Sequence, residues 1–274
     1  MIKNLVLSGG ATRGIVYIGV LKYLEEIETE INNCTGTSVG ALFALFIVLG
    51  YTALELQNIL LGLTNKSFVD ISFISFFEEY GLDTGKKMEK FIHVFLKNKG
   101  FSEQITFAEL FEQTGKTLTV ILTNLNKNES EAFNHTNTPD TSVAKAVQIS
   151  ANIPILYGSK KIKDEYYIDG AFSKNLALDL FKPSEKTLGI MLLKENTILS
   201  EINDFIGYTS RILECISNKL EKCELKMLKE MGYNVFSIDV PSYSTIVNFN
   251  LDNETKTKLI DLGYLSIKKF LSRT

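Results

Sequence analysis

The five residues Gly36-Thr37-Ser38-Val39-Gly40 have the types and spacing of a serine nucleophile held in a sharp turn. Residues 31–35 before them are predicted to form a short strand, and residues 41–49 after them are an apolar run predicted to form a buried helix. A strand, a tight turn and a helix in this order expose a serine hydroxyl, and the flanking glycines allow the strained turn and close backbone approach. The alternative is a serine that only N-caps a core helix.

A serine hydroxyl is a weak nucleophile at neutral pH and needs an adjacent base, which is usually a histidine. The chain has two histidines, His93 and His135, and none after residue 135. His93 lies in a predicted helix rich in lysine, and His135 lies in a polar turn. A hydrolase with the chain order serine, acid, histidine needs a histidine near the end of its domain. A Ser-His-Asp triad is therefore disfavoured.

A carboxylate is the other candidate base, and Asp169-Gly170-Ala171 is the best placed. It follows a predicted strand over residues 166–168, and Gly170 permits a tight turn. A carboxylate at a strand end points into a site without side-chain slack, and partial burial would make it a stronger base. The alternative is an ordinary Asp-Gly hairpin turn.

A glycine-rich turn near the start of the chain could stabilise negative charge. Its residues are Gly9, Gly10, Ala11, Thr12, Arg13 and Gly14. Backbone N–H groups before a helix can hold the oxyanion formed in acyl transfer, and Arg13 adds a positive charge at the same helix start. A nucleotide site is the competing interpretation. It is disfavoured because Ala11 interrupts the G-x-G-x-x-G pattern and no P-loop sequence is present.

The predicted elements alternate between strands and helices, as in an α/β fold with a mostly parallel sheet. Strands are predicted at residues 5–7, 31–35, 117–123, 130–133, 160–163, 166–168, 188–193 and 234–240. Helices are predicted at residues 15–28, 41–49, 53–63, 84–98, 106–114, 142–150 and 254–271, and over most of 200–230. No linker or repeat interrupts residues 1–274, so we expect one domain with a mainly helical part over residues 195–274.

The composition restricts the partners that the chain can have. Its 29 basic and 32 acidic residues give a net charge of −3, which disfavours nucleic acid as a partner. The three cysteines are too few for a disulfide framework, and no signal peptide is apparent, so we expect a cytoplasmic protein. Residues 68–77 form an aromatic, apolar segment that could be a lid or a peripheral membrane contact; the alternative is a loop packed on the core.

Taken in order, the three candidate segments resemble the patatin-like phospholipase family. The resemblance covers residues 5–171, with the glycine-rich turn, the serine turn and Asp169-Gly170-Ala171 at its three motifs. Two further segments, residues 105–116 and 150–154, are similar to those before the family's central strand and its aspartate strand.

This resemblance implies a Ser-Asp dyad lipid acyl hydrolase with a three-layer α/β/α fold and no cofactor or metal. Ser38 would be the nucleophile and Asp169 the base, with backbone N–H groups of Gly9 to Ala11 and the nearby Arg13 at the oxyanion. The motif-supporting glycines are Gly14, Gly36, Gly40 and Gly170. The family usually has a third glycine where this chain has Ala11, which carries a steric cost at positive φ. The implied partner is a lipid at a membrane or micelle surface. The alternatives are a lipid acyltransferase and a non-catalytic lipid-binding protein.

Overall fold

The structure is a computed structural model that describes residues 2–62, 80–183, 186–195, 202–203, 205–241 and 251–273. The strands are Asn4–Leu7 (β1), Asn33–Thr37 (β2), Gly81–Asp83 (β3), Thr117–Asn124 (β4), Glu129–Phe133 (β5), Ile155–Tyr157 (β6), Lys160–Ile162 (β7), Glu165–Asp169 (β8), Thr187–Lys194 (β9) and Val235–Val240 (β10). The α-helices are Val16–Glu26 (α1), Val39–Val48 (α2), Ala53–Gly62 (α3), Lys86–Asn98 (α4), Phe107–Thr114 (α5), Val143–Ser150 (α6), Phe205–Glu230 (α7) and Asn253–Leu271 (α8).

Within these residues the main sheet has the strand order β10-β9-β1-β2-β4-β8-β7. The run from β10 to β4 is parallel, whereas β5, β7 and β8 pair antiparallel with their neighbours. The mostly parallel sheet predicted from the alternation of elements is confirmed. Since the carboxyl ends of parallel strands share one edge of a sheet, the loops after β1 and β2 are brought together.

The pairing of β4 with both β2 and β8 places the ends of these two strands next to each other. β5 pairs with β4 on one side, so both β2 and β8 must use its other side. There Ile121 is opposite Thr37, the last residue of β2, and the next residue, Leu122, is opposite Asp169, the last residue of β8. The two strands approach this point from opposite directions. Residues 38 and 169 therefore meet although 131 positions separate them.

Hydrophobic residues pack on both faces of the sheet. Leu5 and Leu7 of β1 belong to the larger core, while Val6 between them belongs to a second cluster that includes Leu228 of α7. Successive side chains of a strand point to opposite faces, so these two clusters are the two sides of the sheet. The predicted three-layer arrangement is confirmed.

Local sequence signals predicted several helix boundaries. Thr106 and Glu109 form the predicted capping box at the start of α5, and Gly115 ends that helix. The first helix differs from its prediction, because a 3₁₀ helix over Ala11–Ile15 precedes α1 and α1 ends at Glu26 rather than at residue 28. Residues 68–77, the predicted lid or packed loop, lie outside the described residues. No helix in the described part is long and apolar enough to cross a bilayer.

Candidate active site

Ser38 occupies a strained turn between β2 and α2. Its φ of 55° and ψ of −126° are rare for a residue with a side chain, and such strain is typical of functional turns. A Cβ on Gly36 would lie 2.2 Å from Gly40 O, and a Cβ on Gly40 would lie 2.3 Å from Leu7 O. The flanking glycines therefore permit close packing of backbone, and the strained conformation itself is at Ser38.

Ser38 and Asp169 form a direct hydrogen bond. Ser38 Oγ donates to Asp169 Oδ2 at 2.6 Å, and Ala171 N–H donates to Asp169 Oδ1 at 2.8 Å. The serine side chain makes no capping bond to α2, and a short 3₁₀ helix follows Asp169, so neither the N-cap nor the hairpin alternative describes this pair. Burial raises the pKa of Asp169 to about 7, against the lowering effect of its two hydrogen bonds. The carboxylate is thus a base suited to neutral pH.

Ser150, at the end of α6, holds the serine turn from behind. Its Oγ accepts a hydrogen bond from Ser38 N–H at 2.9 Å and donates one to Ile121 O at 2.7 Å. Ser150 is completely buried, so both bonds are shielded from water. Ser150 begins the segment 150–154 that resembles the patatin-like family, but no sequence pattern predicts its contact with the backbone of Ser38.

The glycine-rich turn leads into the 3₁₀ helix that precedes α1, close to Ser38. Ala11 has a φ of 48°, so the steric cost expected for an alanine at positive φ is present. Gly9 N–H donates to Asn175 Oδ1 at 2.7 Å, which differs from its expected use as an oxyanion donor. Among the described residues, the N–H groups of Gly10 and Ala11 have no hydrogen-bond acceptor. These two groups are the donors that the turn offers to a ligand.

Arg13 stabilises the turn and does not present a free charge. Its guanidinium pairs with Glu221 Oε1 at 3.0 Å and donates to Gly10 O at 3.1 Å and to Leu192 O at 3.0 Å. The positive charge expected at this helix start is therefore paired with the carboxylate of Glu221, a buried residue of α7. Arg13 instead fixes the carbonyl of Gly10 by hydrogen bonding.

Helix α7 supplies a second carboxylate that supports the same region. Glu224 accepts hydrogen bonds from the backbone N–H groups of Asn175 and Leu176, each at 3.1 Å, and burial raises the pKa of Glu224. Asn175 in turn binds Gly9. No motif pointed to Asn175, Glu221 or Glu224, because the contacts join segments that are far apart in the sequence.

The two histidines lie elsewhere. His135 stacks on Phe111 with ring centroids 3.9 Å apart, and His93 Nδ1 is 3.7 Å from Glu103 Oε2. Neither residue lines the cavities beside Ser38. In the described part of the chain, no group of three or more His, Cys, Asp or Glu side chains could hold a metal ion.

Two cavities meet at Ser38. The first has a mixed lining, in which apolar residues such as Phe172, Leu213 and Val240 accompany polar ones; it is the more polar of the two, and we call it the polar cavity. Its polar lining comprises Asp169, the glycine-rich turn and the inward residues Lys194, Glu214, Ser217, Asn218 and Glu221. Lys194 and Glu214 form an ion pair there, which Arg211 joins at 2.7 Å. The second cavity is apolar and is lined by residues that include Leu42, Phe43, Phe46, Leu56, Met88 and Phe91. The serine hydroxyl thus lies between a cavity of mixed character and a strongly apolar one.

Lys256 is the charged residue in the lining of the apolar cavity. The residue is 4% exposed, and Nζ donates to Leu60 O at 3.0 Å. Burial lowers its pKa, because an ammonium group loses hydration in such surroundings.

Comparison with known families agrees with the motifs at this site. The family model for the patatin-like phospholipases matches residues 5–182 of the chain. The matched region contains Ser38, Asp169 and the glycine-rich turn, and it ends before β9, α7, β10 and α8.

Individual proteins give the same relationship. Probable lipid hydrolase 463L of Invertebrate iridescent virus 6 is 33% identical over 181 residues, which are 65% of this chain and 62% of that protein. Triacylglycerol lipase SDP1L of Arabidopsis thaliana is 26% identical over 58% of this chain and 20% of its own length. The chain therefore spans less than two thirds of either protein. The crystal structure of VipD from Legionella pneumophila superposes with a TM-score of 0.62 at 18% identity, over 99% of this chain and 67% of VipD.

Proposed function

This chain belongs to the patatin-like phospholipase family, and we propose that it is a lipid acyl hydrolase with Ser38 as nucleophile and Asp169 as general base. The observation that carries the proposal is the 2.6 Å hydrogen bond between Ser38 Oγ and Asp169 Oδ2, two buried groups at the junction of the cavities. A nucleophile and a base in hydrogen-bond contact are what covalent acyl transfer requires.

In the first half of the proposed reaction, Ser38 Oγ attacks the carbonyl carbon of an ester while Asp169 takes the hydroxyl proton. The carbonyl oxygen becomes an oxyanion, for which Gly10 N–H and Ala11 N–H are the available donors. The bond to the alcohol then breaks, the protonated Asp169 gives its proton to the leaving oxygen, and the acyl group remains on Ser38.

In the second half, water attacks the acyl-enzyme and Asp169 accepts the proton of that water. Collapse of the second oxyanion releases the fatty acid, and the proton on Asp169 returns to Ser38 Oγ. A single carboxylate can serve both halves because burial keeps its pKa at about 7, so both of its protonation states are accessible near neutral pH.

The two cavities indicate the class of substrate. A fatty-acyl chain fits the apolar cavity, whose lining includes Leu42, Phe46 and Phe91, because transfer of methylene groups from water to such surroundings is favourable. The polar cavity would then receive the alcohol part of the ester. Relatives named as a lipid hydrolase and a triacylglycerol lipase support a glycerolipid ester as substrate.

Replacement of the two residues tests the proposal. Ser38→Ala and Asp169→Asn should each reduce release of fatty acid from phospholipid or triacylglycerol micelles by roughly a thousandfold or more. The wild type and Asp169→Asn retain the Ser38 hydroxyl, which a fluorophosphonate probe would modify, whereas Ser38→Ala lacks it. Labelling of Asp169→Asn should be slower than labelling of the wild type. Circular dichroism would confirm that each variant is folded. A folded wild-type protein that neither labels nor releases fatty acid would overturn the proposal, and transfer of the acyl group to an added alcohol instead of water would identify an acyltransferase.

A further inference from the structure

Helix α7 carries a stripe of large apolar side chains that are exposed to solvent. The members of this apolar stripe, each between 38% and 54% exposed, are Tyr208, Ile212, Ile216, Leu220 and Met227. At 3.6 residues per turn, their spacing confines them to about a third of the helix circumference. A contiguous apolar surface of this kind is typical of a binding face and not of chance exposure.

A row of lysines runs beside the apolar stripe. Lys219, Lys222, Lys226 and Lys229 are all exposed, in a chain whose net charge is −3. Lys226 lies 3.7 Å from Glu230 in a surface ion pair, whereas Lys219, Lys222 and Lys229 have no carboxylate within 4 Å among the described residues. The positive charge is therefore concentrated locally, against the sign of the whole molecule.

Three of the four acidic residues of α7 lie on its opposite face, and the fourth, Glu230, is beside Lys226. Glu214 pairs with Lys194 and Arg211, and Glu221 pairs with Arg13. Glu224 accepts backbone hydrogen bonds. The helix is thus amphipathic in charge as well as in hydropathy, with Glu214, Glu221 and Glu224 toward the site and its lysines and apolar stripe outward.

We propose that the outward face of α7 binds the surface of an anionic lipid bilayer. An amphipathic helix with apolar side chains and lysines on adjoining strips lies in the interface, with the apolar groups among the acyl chains and the lysines at anionic head groups. A second copy of the chain fits this face poorly. Two such faces would bring lysines against lysines, and Glu230, the exposed acid on this side, is already beside Lys226.

The same helix connects the proposed membrane contact to the site. Its inward residues Glu214, Ser217, Asn218 and Glu221 line the polar cavity at Ser38. Because an α-helix with its side chains is about 10 Å thick, a bilayer on the outer face would lie one helix away from this cavity. This consequence for substrate delivery rests on the proposed function, but binding of vesicles by α7 does not.

Vesicle binding by the chain of residues 1–274 tests the proposal. The wild type should sediment with vesicles of phosphatidylserine and phosphatidylcholine, bind pure phosphatidylcholine vesicles far more weakly, and lose affinity as salt is raised. The triple variant Lys219→Gln, Lys222→Gln, Lys229→Gln should bind the anionic vesicles more than tenfold more weakly, since each lysine near such a surface contributes about fivefold. Ile212→Ser with Ile216→Ser should also lose at least tenfold in affinity.

Matched controls use exposed residues of other helices. One control makes the same change in net charge through Lys86→Gln, Lys90→Gln and Lys145→Gln, and a second removes two exposed leucines through Leu54→Ser and Leu265→Ser. Both controls should bind as the wild type does.

Equal binding by the wild type and the α7 variants would overturn the proposal. A wild-type dimer that dissociates in the Ile212→Ser, Ile216→Ser variant would also overturn it. Hydrolysis of a short soluble ester should be unchanged in the α7 variants. Absence of that hydrolysis in the wild type, with vesicle binding intact, would reject the proposed function and support the membrane face.

Discussion

Asp169 is 2% exposed, and burial raises the pKa of its carboxyl group to about 7. Only its ionised form can take the proton of Ser38 Oγ. We therefore expect kcat/KM for a soluble ester to rise with pH and to level off above about pH 7. The rising part of this pH profile should fit the ionisation of a single group. A pH profile that is already flat from pH 5 upward would show that Asp169 is not the group that limits the reaction. The control is the rate of spontaneous hydrolysis of the substrate, measured without protein at each pH.

The raised pKa of Asp169 also determines how this residue changes the free energy of unfolding with pH. In the unfolded chain the group titrates near 3.8, and in the folded chain near 7, so between these values the unfolded state holds fewer protons. Stability then falls as pH rises through this window. Asp169→Asn, which cannot ionise, should have a larger free energy of unfolding than the wild type at pH 8, and this advantage should shrink toward pH 4. Urea denaturation at both pH values measures it, and an advantage that grew on acidification would contradict the assignment.

Ser150 acts on Ser38 without reaching the substrate side of the site. Ser150→Ala removes the acceptor of Ser38 N–H and the donor to Ile121 O, which frees the strained serine turn from β4. We expect kcat to fall by roughly tenfold to a hundredfold with little change in KM, because the proposed nucleophile is misplaced while both cavities remain.

A serine at the other end of α6 provides the control for Ser150. Ser142→Ala removes the N-cap of the same helix, whose Oγ accepts Lys145 N–H, and should lower stability by about 1 kcal/mol without changing kcat. Equal loss of kcat in the two variants would mean that Ser150 matters only through the stability of α6.

Among the elements, those specified by short-range signals were predictable. The serine turn is one example, since the glycines, the β-prone segment and the apolar run all lie within residues 31–49. The capping box at Thr106 is another, because both partners lie within one helical turn. The serine turn and the start of α5 could thus be predicted without knowledge of the rest of the fold.

The elements that complete the site depend on long-range contacts, which a single sequence does not encode locally. The register of β4 decides that the ends of β2 and β8 meet, and nothing near Ser38 or Asp169 specifies that register. The ion pair of Arg13 with Glu221 joins residues 208 positions apart. This partner of Arg13 was not predictable, because it lies on α7, where no motif was recognisable.

The packing of α8 on α1 is another long-range contact, and a glycine pair permits it. A Cβ on Gly263 would lie 2.0 Å from Val16 O, and a Cβ on Gly19 would lie 1.8 Å from Ile260 O. Gly263→Ala should lower the free energy of unfolding by about 1–3 kcal/mol, because the helix axes must separate. Gly62→Ala, at the end of α3 where a Cβ meets nothing within 4 Å, is the control and should not be destabilising. Equal stability of Gly263→Ala and the wild type would show that α8 can shift at no cost.

At the scale of the whole molecule, the part matched by the family model does not account for the structure by itself. β1 lies between β2 and β9, so removal of everything after residue 182 would leave β1 as an unpaired edge. It would also uncover the side of α1 against which Gly263 packs, and would remove Glu221 and Glu224, which hold the glycine-rich turn and Asn175. We therefore propose that residues 1–274 form one cooperative domain, as the unbroken sequence predicts.

A truncated chain of residues 1–182 tests whether residues 1–274 form one cooperative domain. It keeps Ser38, Asp169 and Ser150, yet we expect it to show no cooperative thermal transition, to bind a hydrophobic dye and to lack esterase activity, because the larger core is open on the α8 side and β1 is exposed. Calorimetry and near-ultraviolet circular dichroism, with the full chain under the same conditions, make the comparison. A fragment that unfolds in a single sharp transition and hydrolyses a soluble ester would show instead that the matched region is a complete domain to which β9, α7, β10 and α8 are accessory.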